Sequence, residues 1–139
     1  MSEQRPRVLV AALISMPNPL RMLLTQHSGS RHWHFPDGEV AFGETIAKTI
    51  RRSLNEDLRV TPEEIDERVC MPTDTINMAK KTHFVTLHFV VRLPIGLQIM
   101  PRKGLKVYWC STDPRDHSNL YPLMPSTVEI FRRLNENIK

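Results

Sequence analysis

Glu56 and Asp57 are adjacent in a stretch, Thr45 to about Leu58, whose Ile46, Ile50, Leu54 and Leu58 recur at helical spacing. On a helical wheel centred on Ile50, Asp57 falls about 20° away, inside the apolar sector, with Ser53 and Glu56 on the same flank. A carboxylate aimed at a core edge is costly unless it is paired or bound to a cation. Two chemistries satisfy that demand. Adjacent carboxylates suit a hard divalent cation such as Mg²⁺, which takes few protein oxygens and completes its shell with phosphate and water. A nearby arginine would instead neutralise Asp57 and leave no metal site. A second group of candidates is His27, His32 and His34, of which His32 and His34 would share a strand face. A transition-metal site wants further ligands at defined spacing, and no cysteine is near, so surface or substrate-facing histidines are the simpler reading. The chain has no G-x-S-x-G element and no phosphate-binding P-loop, which removes two common hydrolase and nucleotide-binding classes.

The elements that must position these residues follow from the pattern. Arg7 to Ser15 reads as a buried strand, with Val8 to Ile14 continuously apolar. Leu20 to Gln26 reads as a second strand, and Pro17-Asn18-Pro19 between them predicts a hairpin. Trp33 and Phe35 start a short extended piece, which Pro36-Asp37-Gly38 turns. Thr45 can cap the helix that follows. Thr61 to Glu64 ends it and predicts one short turn. Arg68 to Asn77 is strand-like but interrupted by Pro72. His83 to Val91 and Leu105 to Cys110 are further strands. Ser126 to Asn137 reads as a second helix, with Ser126 as cap and Glu129 completing a capping box. This order gives an α+β domain with a mixed or antiparallel sheet between helices.

From Gly38 to Val60 the chain resembles the signature of the Nudix hydrolase superfamily, G-x5-E-x7-R-E-U-x-E-E-x-G-U, with U a bulky aliphatic. Gly38, Glu44, Arg52, Leu54, Glu56 and Val60 fill their places at the required gaps. The run Trp33-His34-Phe35-Pro36-Asp37-Gly38 is similar to the family's W-x-F-P-G-G, and Phe42-Gly43-Glu44-Thr45 to its F-G-E-T. The resemblance implies a Nudix-like α/β/α sandwich with a mixed central sheet, spanning residues 1–139 as one domain. It implies a loop at Gly38 that approaches a polyphosphate, and Mg²⁺ or Mn²⁺ held by Glu56 and Asp57. Glu44, Arg52 and Glu56 become the catalytic frame, with Arg52 and Glu44 paired to fix the loop on the helix. The implied activity is hydrolysis of a nucleoside diphosphate linked to another group. The departures weaken that site. Ser53 replaces a glutamate that serves the family as a principal metal ligand, Asp57 is a methylene short, Arg59 replaces a glycine at the helix end, and Asp37 replaces a loop glycine. The alternative function is a catalytically inactive module that binds a nucleotide, RNA or a protein partner. Met124 and Pro125 stand where some members carry a purine-reading asparagine, so no oxidised-guanine specificity carries over.

Length and charge bound these readings. A chain of 139 residues with 40% hydrophobic and 24% charged residues is one globular domain. No apolar run approaches the roughly 20 residues of a membrane span, so no membrane association is expected. Two cysteines, Cys70 and Cys110, cannot build a disulfide scaffold. They predict small apolar packing in a reduced, cytoplasmic compartment. The net charge is +4, and its distribution matters more than its size. No carboxylate lies between Asp74 and Asp113, a stretch carrying Lys80, Lys81, Arg92, Arg102, Lys103 and Lys106. That run predicts either a solvated basic face or an anion-binding surface, with Lys103 and Lys106 as substrate-binding candidates. The partners expected are a nucleotide, RNA as the alternative, and a second copy of the chain as a homodimer.

Overall fold

The computed structural model describes residues 5–17, 19–113, 115–117 and 122–138. The strands are β1 (Arg7–Leu13), β2 (Ser15–Met16), β3 (Arg21–His27), β4 (Asp37–Glu39), β5 (Glu64–Asn77), β6 (Thr82–Arg92) and β7 (Leu105–Ser111). Helix α1 (Ile46–Leu58) lies between β4 and β5, and α2 (Pro125–Ile138) follows β7. One mixed sheet has the order β4-β1-β6-β5, and a second, antiparallel sheet has the order β2-β3-β7. Strand β1 is antiparallel to β4 and parallel to β6, with Val10 opposite both Gly38 and Leu87.

The continuous apolar run of β1 has a direct cause, because both of its faces are covered. Val10, Ala12 and Ile14 pack with Leu23 against Ile50, Leu54 and Leu58 of α1. Ala11 and Leu13 pack with Met22 and Leu24 toward Phe35 and toward Ile130 and Phe131 of α2. This is the α/β/α sandwich with a mixed sheet that the sequence predicts.

Several local expectations change. Pro36-Asp37-Gly38 does not turn the chain, since Asp37–Glu39 is strand β4 paired with β1. The predicted hairpin is reduced to Ser15–Met16 against Arg21–Met22, because β1 leaves for the other sheet. Asn18 of that turn lies outside the described residues. Pro72 does not break β5. It lies opposite Leu87 on an edge strand, where a missing N–H on the outer side breaks no ladder bond. The turn predicted near Glu64 is absent, and β5 starts there with a register shift between Asp66 and Cys70. Ser126 does not cap α2. The helix begins at Pro125, the Met124 carbonyl accepts from Thr127 and Val128, and Glu129 is held by Arg132 and Arg133. Cys110 is buried as expected, whereas Cys70 is exposed on β5.

Candidate functional site

Helix α1 is set by its two ends. Thr45 is extended, and its hydroxyl accepts from the Lys48 N–H at 3.1 Å, a standard N-cap. At the other end Arg59 takes a left-handed conformation (φ 55°), which a glycine would adopt without Cβ strain. Its N–H donates to Asn55 O at 3.0 Å, and Val60 N–H donates to Leu54 O at 3.4 Å, closing the helix.

Glu44 and Arg52 lock the preceding loop onto this helix. Arg52 Nε donates to Glu44 Oε2 at 2.8 Å, and Nη2 donates both to Glu44 Oε1 and to the Glu39 carbonyl, each at 2.9 Å. Glu44 also accepts from Thr49 Oγ1 at 2.7 Å and from the Ala41 N–H at 3.3 Å. The Arg52 guanidinium, then the Thr49 hydroxyl, hold the Glu44 carboxyl down at about 2. One carboxylate thus ties the end of β4, the loop and the second turn of α1.

Gly38 owes its identity to packing. A Cβ there would lie 1.9 Å from Ser53 Oγ and 2.8 Å from Ser53 Cβ, so β4 crosses α1 with no room for a side chain. Ser53 is buried under that crossing, and its hydroxyl donates to the Thr49 carbonyl at 2.6 Å. Both remaining carboxylates on this face have arginine partners. Arg52 Nη1 lies 3.5 Å from Glu56 Oε2, and Arg102 Nε donates to Asp57 Oδ1 at 2.8 Å. Arg102 is fixed further by its own N–H on the Asp57 carbonyl, also at 2.8 Å. A cation held by Glu56 and Asp57 would have to displace Arg102 from Asp57 and the looser Arg52 contact from Glu56, while Ser53 offers only a hydroxyl already bonded to Thr49. Of the two chemistries open to Asp57 in the sequence, the arginine pair is the one formed.

The cavity beside β1, β6 and the start of α2 holds what spacing could not predict. An isolated bridge between Thr25 and His34 aligns the end of β3 with the lead-in to β4. It stacks the His27 and His34 rings at a centroid distance of 5.0 Å, with Asp37 beside them. His32 takes no part in this group. These side chains border a cavity of about 250 Å³, closed by Leu9, Phe84 and Met124. Burial pushes the Asp37 carboxyl up, opposed by the neighbouring histidines, and burial followed by the nearness of His34 pushes His27 down. A second hollow of about 360 Å³ lies alongside, bordered by His27, Ser28, Gly104 and Lys106. Lys103 is exposed next to it in sequence.

The basic stretch is not one field of unpaired charge. Arg92 pairs with Glu64 at 2.8 Å and Arg102 with Asp57, carboxylates from outside the stretch. Lys81 lines a different hollow, beside Ile76 and His83 at the β5–β6 turn. A count along the sequence misses such partners.

A family model for the NUDIX domain matches residues 4–131. The chain belongs to the NUDIX domain family. Its fold is shared with a MutT NUDIX hydrolase from Burkholderia pseudomallei, at 20% identity and a TM-score of 0.76 over 92% of this chain and 97% of that one. A C. elegans Ap4A hydrolase gives 17% identity and a TM-score of 0.76 over 95% and 97%. The NUDIX domain of Shewanella oneidensis NrtR, solved with ADP ribose, gives 18% identity and a TM-score of 0.71 over 97% and 90%. No match emerged among curated protein sequences. In this Nudix domain the frame of Gly38, Glu44 and Arg52 is assembled, while the carboxylate face of α1 is altered. Among the described residues no helix is long and apolar enough to cross a membrane.

Proposed function

We propose that this Nudix domain binds a nucleoside diphosphate linked to a second group, and that it is a binding module with little hydrolytic turnover. The observation that carries this reading is the state of α1. Ser53 is buried and bonded to Thr49, and Asp57 is held by Arg102. A metal-assisted attack on a diphosphate needs cation-free carboxylates at those positions. Binding needs less. The cavity between Leu9, Phe84 and Met124 offers apolar walls with Thr75, Thr86 and Ser126 as polar contacts, a composition suited to a base. Lys106 and Gly104 border the neighbouring hollow, where an anionic group would find positive potential. The names of two structural neighbours, an Ap4A hydrolase and a domain solved with ADP ribose, support a dinucleotide-like or sugar-linked diphosphate as the ligand class.

The second reading is a slow pyrophosphohydrolase using Mg²⁺ or Mn²⁺ at Glu56 and Asp57. The bidentate Glu44–Arg52 pair favours it, since that frame is the one on which the family's carboxylates are mounted.

One experiment separates the readings. Calorimetry with ADP ribose, a diadenosine polyphosphate and mononucleotides is run with Mg²⁺ or Mn²⁺, beside product release from the same ligands. The binding reading expects saturable binding and product release at least about 100-fold slower than in Ser53→Glu, which returns a carboxylate to the helix. Turnover in the unmodified protein equal to that of folded Ser53→Glu would support the hydrolase. Absence of binding to every nucleotide would end both. An RNA ligand would announce itself by a steep salt dependence, where a single nucleotide gives a shallow one.

A further inference from the structure

We propose that His27, His34 and Asp37 form a binding site for a borderline divalent cation of the zinc class, in the cavity at the start of α2 and separate from the family's helix-borne site. One ligand atom from each of the three residues lies within 4.8 Å of the other two. Two imidazoles and one carboxylate are a donor set that suits Zn²⁺ or Co²⁺ and is poor for Mg²⁺, which prefers oxygen. Around a cation with bonds near 2.0 Å, such atoms sit roughly 3.3 Å apart, so the side chains close by up to about 1.5 Å on binding. The open face is the 250 Å³ cavity, which all three residues border, so a fourth position is accessible to water or to an anionic ligand.

Three details support the assignment. The ring of His34 is fixed from behind, because its Nδ1–H donates to the Phe35 carbonyl at 2.7 Å. That leaves Nε2 with its lone pair, and a second hydrogen bond of this kind is the usual device that orients a metal-ligating histidine. The Asp37 carboxylate is underused. Its contact with the His34 ring runs to Nδ1 at 3.5 Å, longer than an ordinary hydrogen bond, and that nitrogen is already given to the Phe35 carbonyl. The bridge between Thr25 and His34 brings the His34 ring to 5.0 Å from that of His27, beside Asp37, so rotation of the side chains turns both imidazoles toward the carboxylate.

Arg102 makes the site conditional. Its Nη2 donates to His27 Nδ1 at 3.1 Å, which keeps the His27 proton on Nε2. A cation on Nδ1 takes the acceptor that Arg102 uses. A cation on Nε2 requires the proton to move to Nδ1, which removes the same acceptor. Either way Arg102 lets go of His27 and keeps its bond to Asp57. Occupation of the histidine site and the pairing on α1 are thereby linked through one guanidinium.

The test uses tag-free full-length protein without nucleotide, so its outcome does not depend on the proposed binding function. Zn²⁺ is titrated by calorimetry and Co²⁺ by its visible ligand-field bands. The proposal expects one cation per chain, a Co²⁺ spectrum of low coordination number, and at least about a 10-fold loss of affinity in both His27→Gln and Asp37→Asn. Glu56→Gln should leave the Co²⁺ spectrum unchanged. Arg102→Gln should tighten binding, since a competing cation is gone. Thermal melts confirm that each variant is folded. Absence of stoichiometric binding overturns the site. So does binding that survives both His27→Gln and Asp37→Asn, or a spectrum that shifts with Glu56→Gln. A weaker site in folded Arg102→Gln overturns the linkage.

Discussion

Replacing Gly38 with alanine sets a methyl group against α1, and the distances say how badly it fits. Its Cβ would stand 1.9 Å from Ser53 Oγ and 2.8 Å from Ser53 Cβ, where carbon atoms rest at about 3.5–4.0 Å. Rotating the Ser53 hydroxyl relieves the first contact but gives up its 2.6 Å bond to Thr49 O, about 1 kcal/mol for a buried group. The second contact involves the helix's own Cβ, so β4 must move away by most of an ångström. Strand β4 has three residues, all paired with β1, and cannot shift without weakening that ladder. Overpacking of this kind costs about 1–3 kcal/mol, giving roughly 2–4 kcal/mol in all. Urea unfolding of Gly38→Ala, Ser53→Gly and the double variant measures it. Ser53→Gly alone should lose about 1 kcal/mol of helix propensity, and in its background Gly38→Ala should become much milder. Additivity within about 0.5 kcal/mol would refute the argument, because it would mean that residues 38 and 53 do not meet.

Other consequences are open to simpler measurements. Arg59→Gly removes a left-handed residue with a Cβ, so it should stabilise by about 1 kcal/mol and raise Tm by roughly 4 °C; a fall in Tm contradicts the helix end described. His88 is buried against Phe35 and depressed to about 4, chiefly by burial. The unfolded chain therefore binds a proton near pH 6.5 that the folded chain refuses until about 4. Stability should fall as pH drops through that window, by about 3 kcal/mol at most, and urea midpoints for His88→Gln should be flatter there than for the unmodified protein. Glu44 is the opposite case. Its folded value of about 2 lies below the unfolded one, so its contribution is full above about pH 4.5 and is lost only as pH falls through about 2. Amide exchange at Ala41 should be slow at pH 4 in the unmodified protein and fast in Glu44→Gln; equal rates would mean that the carboxylate does not hold the loop.

Much of the fold was legible because its signals are local or fixed in register. The i+4 spacing of Ile46, Ile50, Leu54 and Leu58 with Thr45 before it gives α1 at both ends, and the gaps from Gly38 to Val60 give the family. The unbroken run from Val8 to Ile14 announced a strand covered on both faces but not its partners, because parallel pairing with β6 leaves no trace in neighbouring residues. Pro72 misled because a proline is read as an interruption, and edge position is a property of the sheet. In the site, the wheel placed Asp57 at the core edge and left its partner open, since Arg102 arrives from 45 residues away. Of the histidine group, the sequence offered His27 and His34 but not their neighbour Asp37, for a related reason. His32 and His34 share a strand face on paper, but the bridge between Thr25 and His34 selects His27 instead.

The central place of β1 also has a consequence for how the protein is made. Strand β4 can cover one edge of β1 early, but Arg7 pairs with Phe84, so the other edge waits for a partner 77 residues further along the chain. At about 5–20 residues per second of synthesis, that wait is roughly 4–15 s. The β5–β6 hairpin closes locally as soon as both strands emerge, whereas β1 must then be threaded in beside β6 as a parallel strand, a slow step in folding. During the wait the segment from Val8 to Ile14 is an uncharged, strand-prone stretch with an open edge, of the kind that associates with copies of itself. Arg5 and Arg7 at its border are the charges placed to discourage that. One of the best-covered strands of the finished domain thus keeps one edge open through much of its synthesis.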